Sequence, residues 1–276
     1  MNAETATSVI LVKEQKLKEI LSGFNSLAIA YSGGVDSTYL AAVAHDVLGE
    51  NVQMIIADSP SLPRSELETA QKIAGERKWK LKTINTFEHL DKKYQENSGD
   101  RCYYCKSELF NEMEKWCSAN KISAMAYGAI IDDLGDHRPG SRAASEHKVL
   151  APLQEAELSK DEIRKLSLLR NLPTSSKASF ACLASRLPVG ESVTVEKLSQ
   201  IEMAEELIKK LNFSQYRARH HGDLCRIEVA PDEVEVLLNS SKRDWLVNEI
   251  KKLGYKFVTL DLSGYKTGST NGYNNF

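Results

Sequence analysis

Leu27-Ala28-Ile29-Ala30-Tyr31-Ser32-Gly33-Gly34-Val35-Asp36-Ser37 passes from a short apolar run through two adjacent glycines into a helical stretch over residues 38–47 that stops at Gly49. Glycines between a strand and a helix let successive backbone N–H groups converge on an anion, and the helix N-terminus adds partial positive charge. The stretch is therefore a candidate phosphate-binding turn. It lacks the lysine of the GxxxxGK[ST] loop and the spacing of GxGxxG, so it is neither of those nucleotide motifs.

Working outward, residues 52–57 form a second apolar run, completing one strand–helix–strand unit. A helix is predicted over 65–77, a strand over 81–84, a helix over 106–119 and a strand near 123–127. Strands separated by helices of this length imply an α/β fold, a parallel sheet with helices on both faces, whose ligands sit at the carboxyl ends of the strands. A loop at 131–139 carries Asp132, Asp133, Asp136 and Arg138, and Ser159-Lys160-Asp161-Glu162 has the spacing of a capping box. Residues 173–190 are irregular. Beyond them come a helix over 195–211, two strands meeting near His221-Gly222-Asp223, two helices and a strand at 256–260, the pattern of a smaller C-terminal α+β domain with antiparallel pairing. The boundary is expected near Gly190, giving domains 1–190 and 191–276, and the tail from Gly268 is expected to fray.

The chain has 276 residues, 42% hydrophobic and 27% charged, which suits globular folding and excludes collagen-like or mostly disordered classes. With 36 basic against 38 acidic side chains, no overall positive field draws it to nucleic acid. No apolar window is long enough to span a membrane, and residues 1–8 lack a basic-then-apolar leader, so a cytoplasmic protein is expected.

Five cysteines in a reducing compartment suggest metal or chemistry rather than a disulfide framework. Cys102 and Cys105 form a CxxC at the start of a predicted helix, where the dipole favours thiolates. Cys182 stands in the irregular segment Ala181-Cys182-Leu183-Ala184-Ser185-Arg186. Three thiolates can hold a [4Fe–4S] cluster with one iron open, or a zinc ion completed by histidine or water, and the spacing does not choose. Cys117 and Cys225 fall on apolar faces and read as structural. Arg217 and Arg219 are two apart on a strand and project together; the partner strand adds Arg226 and Glu228. Two guanidinium groups suit a carboxylate or phosphate. The competing reading is a solvated strand face balanced by Glu228 and Asp223. His220 and His221 are weak metal candidates, since neighbours on a strand point to opposite faces.

The glycine turn resembles the PP-loop of ATP pyrophosphatases. That resemblance implies that Ser32, Gly33, Gly34, Asp36 and Ser37 hold the phosphates of ATP, that Asp36 helps place Mg2+, and that Asp58 and Ser59 lie beside the adenosine. Across nearly the whole chain the sequence further resembles the LarE family, the pyridinium-3,5-biscarboxylic acid mononucleotide sulfurtransferases that act in building the nickel-pincer nucleotide of lactate racemase. The likeness rests on residues 32–37, the loop 132–140, residues 182–186, Arg217-Ala218-Arg219 and Thr259-Leu260-Asp261-Leu262. It implies that a carboxylate is adenylated, pyrophosphate leaves, and a sulfur nucleophile displaces AMP. In one branch the enzyme's own cysteine is consumed and left as dehydroalanine. Members with cysteines arranged like Cys102, Cys105 and Cys182 resemble the branch with a [4Fe–4S] cluster, and the residues around Cys182 depart from the single-cysteine pattern. Arg217 and Arg219 match positions that hold the mononucleotide phosphate. Ser185 and Arg186 are implied beside the adenylated carboxylate, with Glu228 and Asp261 as further contacts. The resemblance also implies a sulfide donor and a homo-oligomer. The alternatives are another PP-loop enzyme, a tRNA thiolase or an amide-forming synthetase, and a nucleotide-binding or zinc-stapled protein with no activity.

Overall fold

The computed structural model describes residues 3–134, 139–178, 181–238 and 240–266. Asp136 and Arg138 of the acidic loop, Ser179 and Phe180 before the third cysteine, and the tail from Gly268 lie outside the described residues. By internal contacts the chain forms two compact units. One comprises residues 1–88 and 102–180, the other His89–Arg101 and 181–276.

In the first unit the elements run α1 (Ala3–Ser22), β1 (Leu27–Ala30), α2 (Val35–Leu48), β2 (Val52–Asp58), α3 (Arg64–Glu76) and β3 (Leu81–Asn85). The segment His89–Arg101, counted with the other unit, contributes α4 (Lys92–Glu96). The first unit resumes with α5 (Arg101–Asn120), whose first residue belongs to that segment, then β4 (Ala124–Tyr127), α6 (Pro139–Glu146), α7 (Pro152–Glu155) and α8 (Lys160–Leu169). The four strands are ordered β3-β2-β1-β4 and every pair is parallel, as the strand–helix alternation implies. Both faces of the sheet are covered. Leu27, Ile29, Met54 and Ile56 enter the core beneath α1, α2 and α8, while Ala28 and Ile55 point to Phe110, Met113 and Cys117 of α5.

The chain leaves β1 toward β2 and β3 on one side and places β4 on the other, so β1 and β4 flank the point where strand order reverses. Open α/β sheets take their ligands there. The turns after both strands meet at that point. Gly128, following β4, packs so closely on the start of α2 that an added Cβ would lie 2.9 Å from Ser37 N.

In the second unit, α9 (Val195–Lys209) precedes β5 (Tyr216–His221) and β6 (Leu224–Val229), an antiparallel hairpin turning at Gly222 with φ +60°. After α10 (Val234–Leu238) and α11 (Ser240–Lys252), β7 (Phe257–Leu260) joins β6 in parallel rather than antiparallel. The reason is the connection: two helices provide a crossover, which returns the chain in the same direction. Ile208, Cys225, Ile227, Val229, Leu246 and Ile250 form the core. Segment His89–Arg101 is clasped to this unit through Asn97, 1% exposed, whose side-chain amide donates to the carbonyls of Pro188 at 2.7 Å and Glu191 at 3.0 Å.

Candidate functional site

The turn 32–37 is knitted by its own serines. Ser37 Oγ accepts from Ser32 N at 3.2 Å and lies 3.0 Å from Ser32 Oγ. Gly33 adopts φ +68°, and its Cα faces Ala70 so closely that a Cβ would sit 2.8 Å from that methyl group. Gly34 caps α2 without a side-chain hydrogen bond, so no capping side chain takes up the first-turn N–H groups. A helix start of this kind can receive an anion.

Two lysines reach this turn from distant parts of the chain. Lys160 Nζ donates to Asp36 Oδ2 at 2.5 Å. Lys177 Nζ donates to the Gly33 carbonyl at 3.0 Å and pairs with Glu66 at 2.5 Å. Arg164 fixes the backbone around Lys177 by donating to the carbonyls of Ser175 and Lys177, each at 2.8 Å. The motif therefore gains from α8 and the segment after it the cations that its own residues lack. Asp36 Oδ1 is buried and has no hydrogen-bond partner among the described residues. A carboxylate with one oxygen unsatisfied suits a divalent cation, so the donor set fits Mg2+.

At the end of β2, Asp58 pairs with Arg64 at 2.5 Å, and Arg64 also donates to the Ser59 carbonyl at 2.6 Å. The Ser59 hydroxyl donates to Glu88, a carboxylate 2% exposed.

Cys102 is exposed and Cys105 half-buried, in the first two turns of α5. Their spacing of three puts both on one helix face. Cys182 is half-buried in the second unit and precedes a 3-10 turn, Leu183–Arg186. Among the described residues no three His, Cys, Asp or Glu side chains stand together as a metal-ligand group. The thiol chemistry nonetheless separates the five cysteines. Burial, then the Glu114 charge, pushes the Cys117 thiol up to about 11; burial, then Glu205, pushes Cys225 up to about 12. Both therefore stay protonated and unreactive at neutral pH. Iodoacetamide at neutral pH is expected to modify Cys102, Cys105 and Cys182 in the folded protein and to spare Cys117 and Cys225. Peptide mass spectrometry reads this, and labelling of the last two in folded protein would count against the assignment.

Within the second unit the strand face is not solvated. Glu228 is 0% exposed and accepts from Arg219 Nε at 3.0 Å and Nη2 at 2.8 Å, while its other oxygen lies 3.1 Å from Arg226. Arg226 continues to Asp261 at 3.0 Å, and Arg219 donates to the Ser185 carbonyl at 3.1 Å. Arg186, 1% exposed, pairs with both Glu205 oxygens, at 2.8 and 3.0 Å, and donates to the carbonyls of Ala181 and Cys182. It therefore shapes the turn beside Cys182. Arg217 lies over the Tyr265 ring at 5.1 Å. Burial and the Arg186 charge hold its affinity for a proton below the usual guanidinium range. Among the described residues Arg186 pairs with Glu205, Arg219 and Arg226 with Glu228, and Arg226 also with Asp261, while Arg217 feels the charges of Arg186 and Glu205. A cluster of guanidinium groups suits an anionic ligand. By contrast, Asp223 pairs with Lys256 at 2.7 Å, and His220 is buried against the Tyr255 hydroxyl at 3.0 Å. No motif in the sequence marks Lys160, Lys177, Glu88 or Glu205 as site residues.

No protein-family model matches the chain. Among curated proteins, the pyridinium-3,5-bisthiocarboxylic acid mononucleotide synthase of Lactiplantibacillus plantarum is 30% identical over 266 residues, 96% of this chain and 95% of that one. The chain belongs to the LarE family. An uncharacterized protein of Synechocystis sp. is 40% identical over 259 residues, 94% of this chain and 97% of its own. GMP synthase (glutamine-hydrolyzing) of Francisella tularensis is 25% identical over 196 residues, which is 62% of this chain but only 37% of the synthase. The L. plantarum and Synechocystis proteins thus match this chain across both units. No helix among the described residues is long and apolar enough to cross a membrane.

Proposed function

We propose that this chain is the ATP-dependent sulfurtransferase of its family, acting on pyridinium-3,5-biscarboxylic acid mononucleotide. The coarse reading, an ATP-using enzyme of sulfur insertion into a nucleotide, follows from family membership. The observation that carries the finer one is the similarity to the L. plantarum synthase over 96% of the chain, which takes in both the glycine turn and the arginine set.

In this reading the substrate carboxylate oxygen attacks the α-phosphorus of ATP, the bond to the β-phosphate oxygen breaks, and pyrophosphate leaves. Carboxylate oxygen is a poor leaving group and AMP a good one. Sulfur then attacks the acyl carbon, the carbon–oxygen bond to AMP breaks, and the product is a thiocarboxylate. Ser32, Gly33, Gly34 and Ser37 hold the phosphates through backbone and hydroxyl groups, Asp36 would hold Mg2+, which would offset phosphate charge, and Asp58 and Ser59 border the adenosine. Arg217 and Arg219 receive the phosphate of the mononucleotide, with Glu228 and Asp261 fixing the arginines. Ser185 faces the activated carboxylate, and Arg186, committed to Glu205 and the turn carbonyls, holds the Cys182 segment in shape.

Cys102, Cys105 and Cys182 are the residues that would hold a [4Fe–4S] cluster, which supplies sulfide for the transfer when bound. Their support is residue type and exposure. An external sulfide donor and a homo-oligomer complete the proposal. An amide-forming synthetase is the weaker reading, because the GMP synthase match covers little of that enzyme.

The test is anaerobic. Pyrophosphate release is expected only when ATP and the dicarboxylate nucleotide are both present, and its absence overturns the function. Iron and sulfide are expected in the reconstituted protein and lost in each of Cys102→Ser, Cys105→Ser and Cys182→Ser. Iron-free protein that turns over once and leaves dehydroalanine at 182 would replace the cluster by the sacrificial mechanism.

A further inference from the structure

Lys160 occupies the first position of α8, where the helix dipole disfavours a cation. The helix start is stabilised by other groups. Ser159 and Glu162 form a reciprocal capping box, Asp161 and Glu162 provide the acidic first turn, and the Lys160 amide donates to Asp132 Oδ2 at 3.0 Å. Helix stability therefore does not account for a lysine here. What the network does is fix the backbone from which the Lys160 side chain crosses 124 residues of sequence to Asp36.

We propose that Lys160 is an internal cation that exchanges with the divalent metal at Asp36, holding that carboxylate until metal arrives with the nucleotide and then passing to the phosphate oxygens. This rests on the reading of residues 32–37 as the triphosphate turn of an ATP-using enzyme. Asp36 Oδ2 is 2.5 Å from the ammonium. The oxygen left for a divalent cation is Oδ1, so a metal held there would draw on the same single carboxylate charge as the ammonium on Oδ2, and the two cations compete for it. Lys160 leaves the carboxylate half satisfied, because Oδ1 is buried with no partner among the described residues. The pair is accessible enough to open: the Lys160 and Asp36 side chains are 30% and 23% exposed. A lysine stem has four rotatable carbons and three donors, so it can follow the charge from carboxylate to phosphate.

The exchange predicts effects of opposite sign from one substitution, with Mn2+ as the probe. In the absence of nucleotide, Lys160→Gln removes the competitor and tightens Mn2+ binding, followed by its electron paramagnetic resonance, by about tenfold. With ATP present the same variant loses a phosphate contact, and metal–ATP affinity measured by calorimetry weakens by about tenfold. Lys160→Arg keeps the charge and is expected to leave nucleotide-free Mn2+ affinity at the wild-type value. Melting temperatures report folding of both variants. If Lys160→Gln shifts the two affinities in the same direction, or neither, Lys160 is a structural ion-pair partner and the inference is overturned. Wild-type protein that fails to bind metal–ATP overturns the proposed function instead, so the two failures are distinguishable.

Discussion

Replacing Glu228 by alanine is expected to destabilise the second unit by about 3–5 kcal/mol, the range seen when one member of a buried ionic group is removed. Glu228 is 0% exposed and is the carboxylate between Arg219, with a 5% exposed side chain, and Arg226, with a 19% exposed one. Truncation leaves those guanidinium groups facing each other across β5 and β6, which pair Arg219 directly with Arg226. Asp261 still neutralises Arg226, while Arg219 loses both of its hydrogen bonds to the Glu228 carboxylate. Glu228→Gln retains an acceptor and is expected to lose about 1.5–3 kcal/mol, the worth of a charged hydrogen bond. Hydrogen exchange at the β5 and β6 amides in urea measures both. Sulfate should restore the alanine variant more than it stabilises the wild type, because an anion can take the carboxylate's place among the arginines. A loss under about 1 kcal/mol, typical of an ordinary surface substitution, would mean the arginines tolerate one another and need no anion.

That network shows what the sequence could and could not convey. Alternation on a strand correctly puts Arg217 and Arg219 on one side, yet it leaves open whether Glu228 is a solvated counter-charge or a buried one. Leu183–Arg186 and α9 pack on β5, and such packing leaves no trace in the strand's own alternation. Similarly, the strand, glycine turn and helix at 27–48 are legible because their signals are local: an apolar run, a glycine pair and a helical stretch. The start of α5 at Arg101 rather than 106 was not, although Asp100 stands at the capping position, because Arg101-Cys102-Tyr103-Tyr104 has no clear apolar period. Lys160 and Lys177 escaped for the same reason as Glu88 and Glu205. Each acts through a partner that only the fold brings near, 124 residues away for Lys160 and 144 for Lys177. Cys117 and Cys225 could be set apart from sequence because burial on an amphipathic face is itself a periodic signal.

A single methyl group outside the motif is expected to disable the nucleotide turn. Gly128 follows β4 at the switch point, and its position is fixed by the parallel register of β4 on β1, where Tyr127 pairs with Ala30. An alanine Cβ there would lie 2.9 Å from Ser37 N and 3.2 Å from Asp36 C and Ser37 Cα. These are backbone atoms in the first turn of α2, so no side-chain rotation relieves the overlap. The helix start must shift, carrying with it the N–H groups and Asp36 that the proposed reaction uses on the phosphates. Displacements of this order cost catalysis about 100-fold, and overpacking adds about 1–3 kcal/mol of destabilisation. Gly128→Ala is therefore expected to lower ATP-dependent pyrophosphate release about 100-fold, a loss comparable with misplacing the reacting groups themselves. Gly75→Ala in α3 is the control, since nothing lies within 4 Å of its added Cβ and the helix should gain about 1 kcal/mol. Near-normal turnover in Gly128→Ala, with ATP affinity preserved, would show that the turn can move without losing its grip on the phosphates. The switch point would then be a convenience of packing rather than the feature that aligns ATP.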